Sequence, residues 1–526
     1  MTSTTHVVEE GKAPERARAI LVALILVAGV ANINLAVANV ALPDIGKDLD
    51  ASSTQLNLIA VGYSLGLAAS VLYFGALGDR YGRKRLLVIG MCLSIPASVI
   101  AGSAPNFEVL FGARLLGGIS AGLAFPTTLA VITALWSGSK RTHAIAAWSA
   151  FGAAISSLGP LMSGVLLEFF TWHSVFLATL PLAVTALLAA WWLVPADNGD
   201  SAAVVDNLGG IVSILMVGSL VLAINFAPNS DQRLQVYILA GIAILTGAGF
   251  VIRQLRVRVP LFDLRIAARR TFWVAAVGGL IVFGSLMAAM YIGQQYMQNV
   301  LGYSTLQAGT SGLPAAIAMV VVAPRSALLV ERMGSRFTLL AGYTFIVAAL
   351  LVAVFTWDEN ATYWVVALMY VLVGIGVGLA GTPASRALTG SVPVQRAGMA
   401  SSMSDLQRDL GGAIMQSILG AILTAGYASQ LRETIADSPE AGQVTEQTES
   451  ALTKSFSSAE VLAERYPQDA EQIIAAARDA FVHGDRTAYA AAAAIVAFGA
   501  VVVFFGFPKR DAERAVMAEY AEQHSL

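Results

Sequence analysis

The sequence predicts an all-α polytopic membrane protein: fourteen transmembrane helices, grouped as two six-helix bundles plus two linker helices. Three observations carry that prediction. Hydrophobic residues make up 56% of the 526 residues and charged residues only 13%, with a mean hydropathy of +0.69. A soluble domain carries roughly 25% charged residues, because its surface must face water. Apolar stretches of membrane-crossing length recur along the chain, and the basic residues gather on alternate loops. Other classes drop out on the same grounds. A single cysteine, Cys92, permits no intramolecular disulfide. The near-neutral balance of 32 basic and 34 acidic residues leaves no footprint for nucleic acid.

A crossing helix needs about 20 mostly apolar residues. Stretches that qualify are 17–42, 55–77, 86–104, 107–134, 142–168, 174–195, 207–227, 235–254, 272–297, 306–330, 337–357, 362–385, 397–425 and 487–507. The first follows Lys12, Arg16 and Arg18 but is longer than the h-region of a signal peptide, about 7–15 residues, so it reads as an uncleaved span. Placing both termini and the even-numbered loops in the cytoplasm puts 23 of the 32 Lys and Arg residues inside. That asymmetry is the positive-inside rule, and it sets the expected orientation. The loop 196–206 is the exception, with Asp197, Asp200 and Asp206 and no base; acids weigh little in the rule.

The spans fall into a bundle over 1–195, two linker spans with their loops over 196–271, and a second bundle over 272–526. Within the last, 426–486 is the one long polar segment. It reads as an external loop holding one or two amphipathic helices, with helical apolar spacing from Ser458 to Val482.

A repeat supports the two bundles. The loop after the second span runs Gly75-Ala76-Leu77-Gly78-Asp79-Arg80-Tyr81-Gly82-Arg83-Lys84-Arg85. Aligning Arg80 with Arg332, after the tenth span, superposes Asp79 on Glu331, Gly82 on Gly334 and Lys84 on Arg336. Glycines allow a tight turn and close helix approach. The acid can accept hydrogen bonds at a helix N-terminus or pair with an arginine. Such a charge network can lock one face of the molecule and release it. Transporters built from repeats carry their binding site where the halves meet.

Taken together, these residues resemble the major facilitator superfamily and, within it, the fourteen-helix drug:proton antiporters, over nearly the whole chain. The loop from Gly75 to Arg85 matches the superfamily signature at its key positions. The fourth span carries Leu110, Arg114 and Gly118 of a family motif, with Gly117 where glutamine is usual. The fifth carries Gly159-Pro160 and Ser163-Gly164 of the antiporter motif, and the first ends in Asn39-Val40-Ala41-Leu42-Pro43. The stretch from Tyr296 through Gly309 and Pro314 also looks like this branch. The resemblance implies the major facilitator fold and gives Arg114 a part in proton transfer. It also implies that Gly159, Pro160 and Gly164 seal the cavity against leak.

Ionisable groups inside spans cost about 2.5–3.5 kcal/mol each on insertion scales, so each calls for a reason. Arg114 lies within the fourth span. Asp405, Arg408 and Asp409 lie on one face of the thirteenth, where Arg408 can pair with either acid. Read plainly, they are a charge-neutralised structural group; read functionally, they are the proton-coupling site. The resemblance places an aspartate in the first span where this chain has Asn34, so the coupling acid has moved or the coupling differs. Asn34, Tyr63, Gln294 and Gln298 are candidates for lining a substrate cavity, or for packing helix against helix.

The expected function is secondary active export of hydrophobic or amphipathic compounds, such as drugs, dyes or antibiotics, driven by inward proton flow. Partners are the small-molecule substrate, protons and the lipid bilayer, with no cofactor. An exporter of a single metabolite or lipid remains open. A membrane-embedded enzyme would need a clustered site, whereas His6, His143, His173, His483 and His524 are scattered. Arginine outnumbers lysine 26 to 6 amid abundant alanine, which suggests a GC-rich bacterium and its cytoplasmic membrane, with both termini cytoplasmic.

Overall fold

The computed structural model describes residues 14–136, 138–196, 205–227, 232–391, 397–438 and 444–523. Its first group of helices is α1 (Ala17–Asp48), α2 (Ser53–Tyr81), α3 (Arg83–Ala101), α4 (Phe107–Leu135), α5 (Gly138–Phe169), α6 (His173–Leu177) and α7 (Leu180–Leu193). A linker pair follows, α8 (Asn207–Phe226) and α9 (Arg233–Arg256), and a short α10 (Leu264–Ala267). The second group opens with α11 (Arg270–Asn299), α12 (Thr305–Thr310), α13 (Leu313–Met333), α14 (Ser335–Thr356) and α15 (Tyr363–Gly390). It closes with α16 (Ala397–Asp437), α17 (Glu446–Lys454), α18 (Phe456–Arg465), α19 (Ala470–Gly506) and α20 (Arg510–Gln523).

Thirteen helical segments among the described residues are long and apolar enough to cross a membrane. The place of the remaining predicted span is held by α5, whose described apolar part is Leu158–Phe169. Backbone groups in lipid must be satisfied within the chain, which is why such segments are helical throughout. The chain is a multi-pass membrane protein.

The repeat extends through a whole span. The offset of 252 residues that superposes Arg80 on Arg332 also superposes Ser52 on Ser304. Ser52 and Gln55 form a capping box at the start of α2, and Ser304 and Gln307 form another at the start of α12. At the far ends, Gly82 (φ 98°) alone separates α2 from α3, and Gly334 (φ 88°) alone separates α13 from α14. A side chain at either φ is strained, so glycine makes these one-residue turns possible.

Two faces follow from this alternation. The basic face holds the Gly82 and Gly334 turns. The cap face holds the starts of α2 and α12 together with α17 and α18. The reading of 426–486 as one external loop is corrected here: α16 continues to Asp437, and α19 begins at Ala470. Among the described residues between them lie α17 and α18. Leu452, Phe456, Ala459 and Ala463 are buried, so this cap is packed down rather than solvated all round.

Close packing needs small residues. A Cβ on Gly118 would lie 2.1 Å from the Tyr63 carbonyl oxygen, and one on Gly66 2.4 Å from that of Leu115, so α2 and α4 cross backbone to backbone. The linker pair is pinned by Asp206, whose side chain is fully buried. It caps α8 by accepting from the Gly209 amide (2.9 Å) and also accepts from Arg253 Nε (2.6 Å) and Gln254 Nε2 (3.1 Å). Burial pushes its pKa up, but these bonds to Arg253, Gly209 and Gln254 outweigh burial and hold it below the ordinary carboxylate value. A depressed folded-state pKa stabilises the fold above the unfolded pKa, and that contribution is lost as pH falls through the folded value. Asp206→Ala is therefore expected to lower stability by about 1–3 kcal/mol at neutral pH, read from thermal unfolding in detergent. The gap to the native chain should close in strong acid; a gap independent of pH would assign the loss to packing instead.

Candidate functional site

Arg114 of α4 is buried to 2% exposure in the middle of the first group. Its Nη1 donates to the Asn34 carbonyl of α1 (2.5 Å) and its Nε to the Ile59 carbonyl of α2 (3.2 Å), while Nη2 has no partner among the described residues. The guanidinium lies over the Tyr63 ring (5.0 Å) and near that of Phe176 (5.9 Å). Arginine suits this role because its flat, weakly hydrated cation stacks on aromatic faces. A small cavity adjoins it, lined by Asn34, Tyr63, Ser94, Ser98, Gly117 and Phe176. The glycine found where the family has glutamine has a specific use here: a Cβ at Gly117 would already press on the Tyr63 ring at 3.1 Å.

Arg114 of the first group and Asp409 of the second are both electrostatic neighbours of Tyr63. On α16, Arg408 Nε reaches Asp409 Oδ1 at 3.4 Å and its Nη2 reaches Asp405 Oδ1 at 4.0 Å. The three charges thus sit together as the sequence suggested, and Arg408 serves both acids. The same guanidinium leaves its own group to lie 4.9 Å over the Phe125 ring of α4. Arg408 is 32% exposed and Asp405 13%, while Asp409 is 2% exposed and its Oδ2 has no partner among the described residues. A charged, partly exposed cluster therefore lies at the seam between α4 and α16. Phe125 and Phe176 were missed in the sequence, where nothing distinguishes an aromatic beneath a cation from any other apolar residue of a span.

The expected substrate cavity divides. Asn34 and Tyr63 meet at Arg114, but Gln298 of α11 donates to the Val40 carbonyl of α1 (3.2 Å), joining the two groups nearer the cap face. Gln294, one turn earlier, is fully buried with neither amide atom partnered. Of the four, Asn34 and Tyr63 line the pocket at Arg114, and Gln294 and Gln298 do not.

At the cap face the antiporter motif lies against the other group. Gly159 packs on Ala36 of α1 (Cβ at 3.1 Å). A Cβ on Gly164 would meet Leu306 Cα at 2.7 Å and the Thr305 carbonyl at 2.8 Å, and one on Gly309 would meet the Pro160 carbonyl at 2.4 Å. Glycines on both sides, with the backbone of Pro160 between them, let α5 and α12 touch and close this face.

At the basic face, Gly75 lies in the last turns of α2, and a Cβ on Gly78 would meet Thr127 Cγ2 of α4 at 3.3 Å. Arg80 stacks on Tyr81 (5.3 Å), and Arg83 Nη1 donates to the Ala130 carbonyl near the end of α4 (3.3 Å), where a cation suits the helix dipole. Lys84 follows in the first turn of α3. The Asp79 side chain lies outside the described residues. In the echo of this motif, Arg332 lies in the last turn of α13. Glu331 offers its backbone, its carbonyl accepting from Arg510 Nη2 (3.0 Å) and Arg514 Nη2 (3.3 Å) of α20. The acid that caps α14 is Glu513, whose Oε2 accepts from the Ser335 amide (3.0 Å). The expected pairing role of Glu331 thus passes to a glutamate on the C-terminal helix.

A family model described as Major Facilitator Superfamily matches residues 24–415. The multidrug efflux pump LfrA of Mycolicibacterium smegmatis is 31% identical over 497 residues, covering 94% of this chain and 97% of that protein. The methyl viologen resistance protein SmvA of Salmonella typhimurium is 29% identical over 494 residues, covering 93% and 98%. Among solved structures, a bacterial homologue of the human lysosomal transporter Spinster, in an inward-facing and unoccupied conformation, superposes with a TM-score of 0.63. It shares 15% identity and covers 95% of this chain and 97% of that one, a likeness of fold.

Proposed function

The chain belongs to the Major Facilitator Superfamily, and on that premise we propose that it exports hydrophobic or amphipathic compounds such as drugs, dyes or antibiotics in exchange for protons. The bundles over 1–195 and 272–526 rock about the seam between them, and the proton gradient is the energy source, without a cofactor or an enzymatic step. LfrA is named a multidrug efflux pump and SmvA a methyl viologen resistance protein, which supports the substrate class. The observation that carries the coupling is the Asp405–Arg408–Asp409 cluster, seated between α16 and Phe125 of α4. Intramembrane charges are kept where they act. When Asp409 takes a proton, its hold on Arg408 weakens and the cation is freed to shift along the seam. Arg114 and Tyr63 link that change to the cavity in the first bundle. The basic residues around Gly82 support a reading in which the basic face and both termini lie in the cytoplasm of a bacterial cell and the cap lies outside.

The test is efflux of a fluorescent cationic dye from proteoliposomes, with and without an imposed pH gradient. Dye movement that follows the gradient is the expected result. No movement of a cationic dye by folded protein overturns cation export and redirects the search to a neutral or anionic compound or a lipid, for which the uncharged Asn34 is the motive.

A further inference from the structure

A second buried acid lies outside the cluster on α16. Asp485 lies about four turns after the start of α19 at Ala470, in a segment whose sequence reads as polar loop, yet it has no exposure and neither carboxylate oxygen has a hydrogen-bond partner among the described residues. The contrast with Asp206 is direct: equal burial there comes with three donors.

Its surroundings are aromatic. Tyr296 of α11, Tyr370 of α15 and Tyr489 of α19 all lie within electrostatic reach of the carboxylate. Trp357, at the end of α14, stacks on Tyr296 (4.5 Å between ring centres) and meets Tyr489 edge-on (5.3 Å). These phenols are committed elsewhere. Tyr296 donates to the Asp358 carbonyl (2.5 Å), while Tyr370 and Tyr489 both donate to that of Ala289 (3.4 and 3.3 Å). Arg486 is the charged group that acts on Asp485, and its Nε is turned to the Trp357 carbonyl (3.3 Å). From α16, Leu423 and Tyr427 bear on the adjacent Gly484, with the Tyr427 hydroxyl donating to the Leu452 carbonyl (3.0 Å). On α18, Glu460 has Lys47, Glu464, Asp44 and Arg478 as its electrostatic neighbours. None of these donates to the acid.

An ionised carboxylate in such a place carries the full desolvation cost of an unpaired charge, which the neutral acid avoids. We propose that Asp485 is a proton-binding site of its own, holding a proton while the cap face is closed and exchanging it with water outside when that face opens. The exchange is a plain proton transfer: the acid gives H⁺ to water to leave a carboxylate, and hydronium restores it. This rests on the proton-coupled reading above and adds an outer station to the path that ends at α16.

Infrared spectroscopy of the full chain in lipid tests the site independently of transport. A carbonyl band of a protonated carboxyl is expected at neutral pH. It should persist in Asp405→Asn/Asp409→Asn, survive shifted in Asp485→Glu, and vanish in Asp485→Asn, an isostere of the neutral acid. A band unchanged in Asp485→Asn overturns the assignment, and so does the absence of any such band from the native chain. In proteoliposomes, Asp485→Asn is expected to keep dye exchange at equal pH and to lose gradient-driven efflux. Equal loss of both activities would show a structural role and sink the proposal, as would native gradient-driven efflux. Failure of the native chain to move dye would instead remove the export reading and leave the infrared result to decide Asp485.

Discussion

Asp405→Asn combined with Asp409→Asn is expected to reduce gradient-driven efflux to the rate of protein-free liposomes while the protein still folds and inserts. Folding survives because Arg408 does not depend on the acids alone. It keeps the Phe125 ring at 4.9 Å and is 32% exposed rather than sealed in. Removing the cation instead leaves two carboxylates in the seam without their counter-charge, one of them almost wholly buried, so Arg408→Ala should cost stability as well as transport. The double amide therefore separates chemistry from structure better than any change at Arg408. Each single amide leaves one titrating group, and Asp409→Asn should be the more severe, since Asp409 is the more deeply buried and lies within reach of Tyr63. The measurement is dye efflux under an imposed pH gradient beside exchange at equal pH. Full gradient-driven efflux in the double variant would falsify the assignment of coupling to α16.

What the sequence could reveal follows from how local each signal is. Spans were legible because hydropathy over 20 residues is a local property, and the turns at Gly82 and Gly334 because a positive φ demands glycine wherever it falls. The cluster on α16 was legible because its three charges share one helix. The surroundings of Arg114 were not: its partners are carbonyls of Asn34 and Ile59 on two other helices, and every residue type has a carbonyl. Nor was the true extent of α16 and α19. The polar residues of 426–486 look like solvated loop, but Tyr427, Leu431, Ala477 and Ala480 hold their helical spacing and are buried beyond the apolar runs. Asp485 and Arg486 read as the edge of that loop for the same reason. Only the packing of α11, α14 and α15 around them shows that one is dry and the other turned aside.

The cap ties the two bundles together, and locking it should stop transport. Lys454 reaches Asp50 at 2.8 Å and Lys47 reaches Glu464 at 2.6 Å, joining the cap helices to the last turn of α1 and the turn that follows it. The Ser455 hydroxyl donates to the Ala51 carbonyl (3.2 Å), and that of Ser457 to the Pro43 carbonyl (3.4 Å). Exposed ion pairs of this kind contribute about 0–1 kcal/mol each, so the latch is weak enough to open in every cycle. A covalent latch is not. A Cβ built on Gly46 would lie 3.2 Å from Ser457 Cβ, and a disulfide spans about 3.5–4.5 Å between Cβ atoms, so a shift of a few tenths of an ångström admits the bridge. With the exposed Cys92 first replaced by alanine, Gly46→Cys/Ser457→Cys is expected to transport dye when reduced. On oxidation it should fall to the rate of protein-free liposomes, and a thiol reductant should restore it. Normal efflux with the bridge formed would mean that substrate leaves without the cap parting from α1, and the outer opening would then have to be sought where Gly164 and Gly309 join α5 to α12.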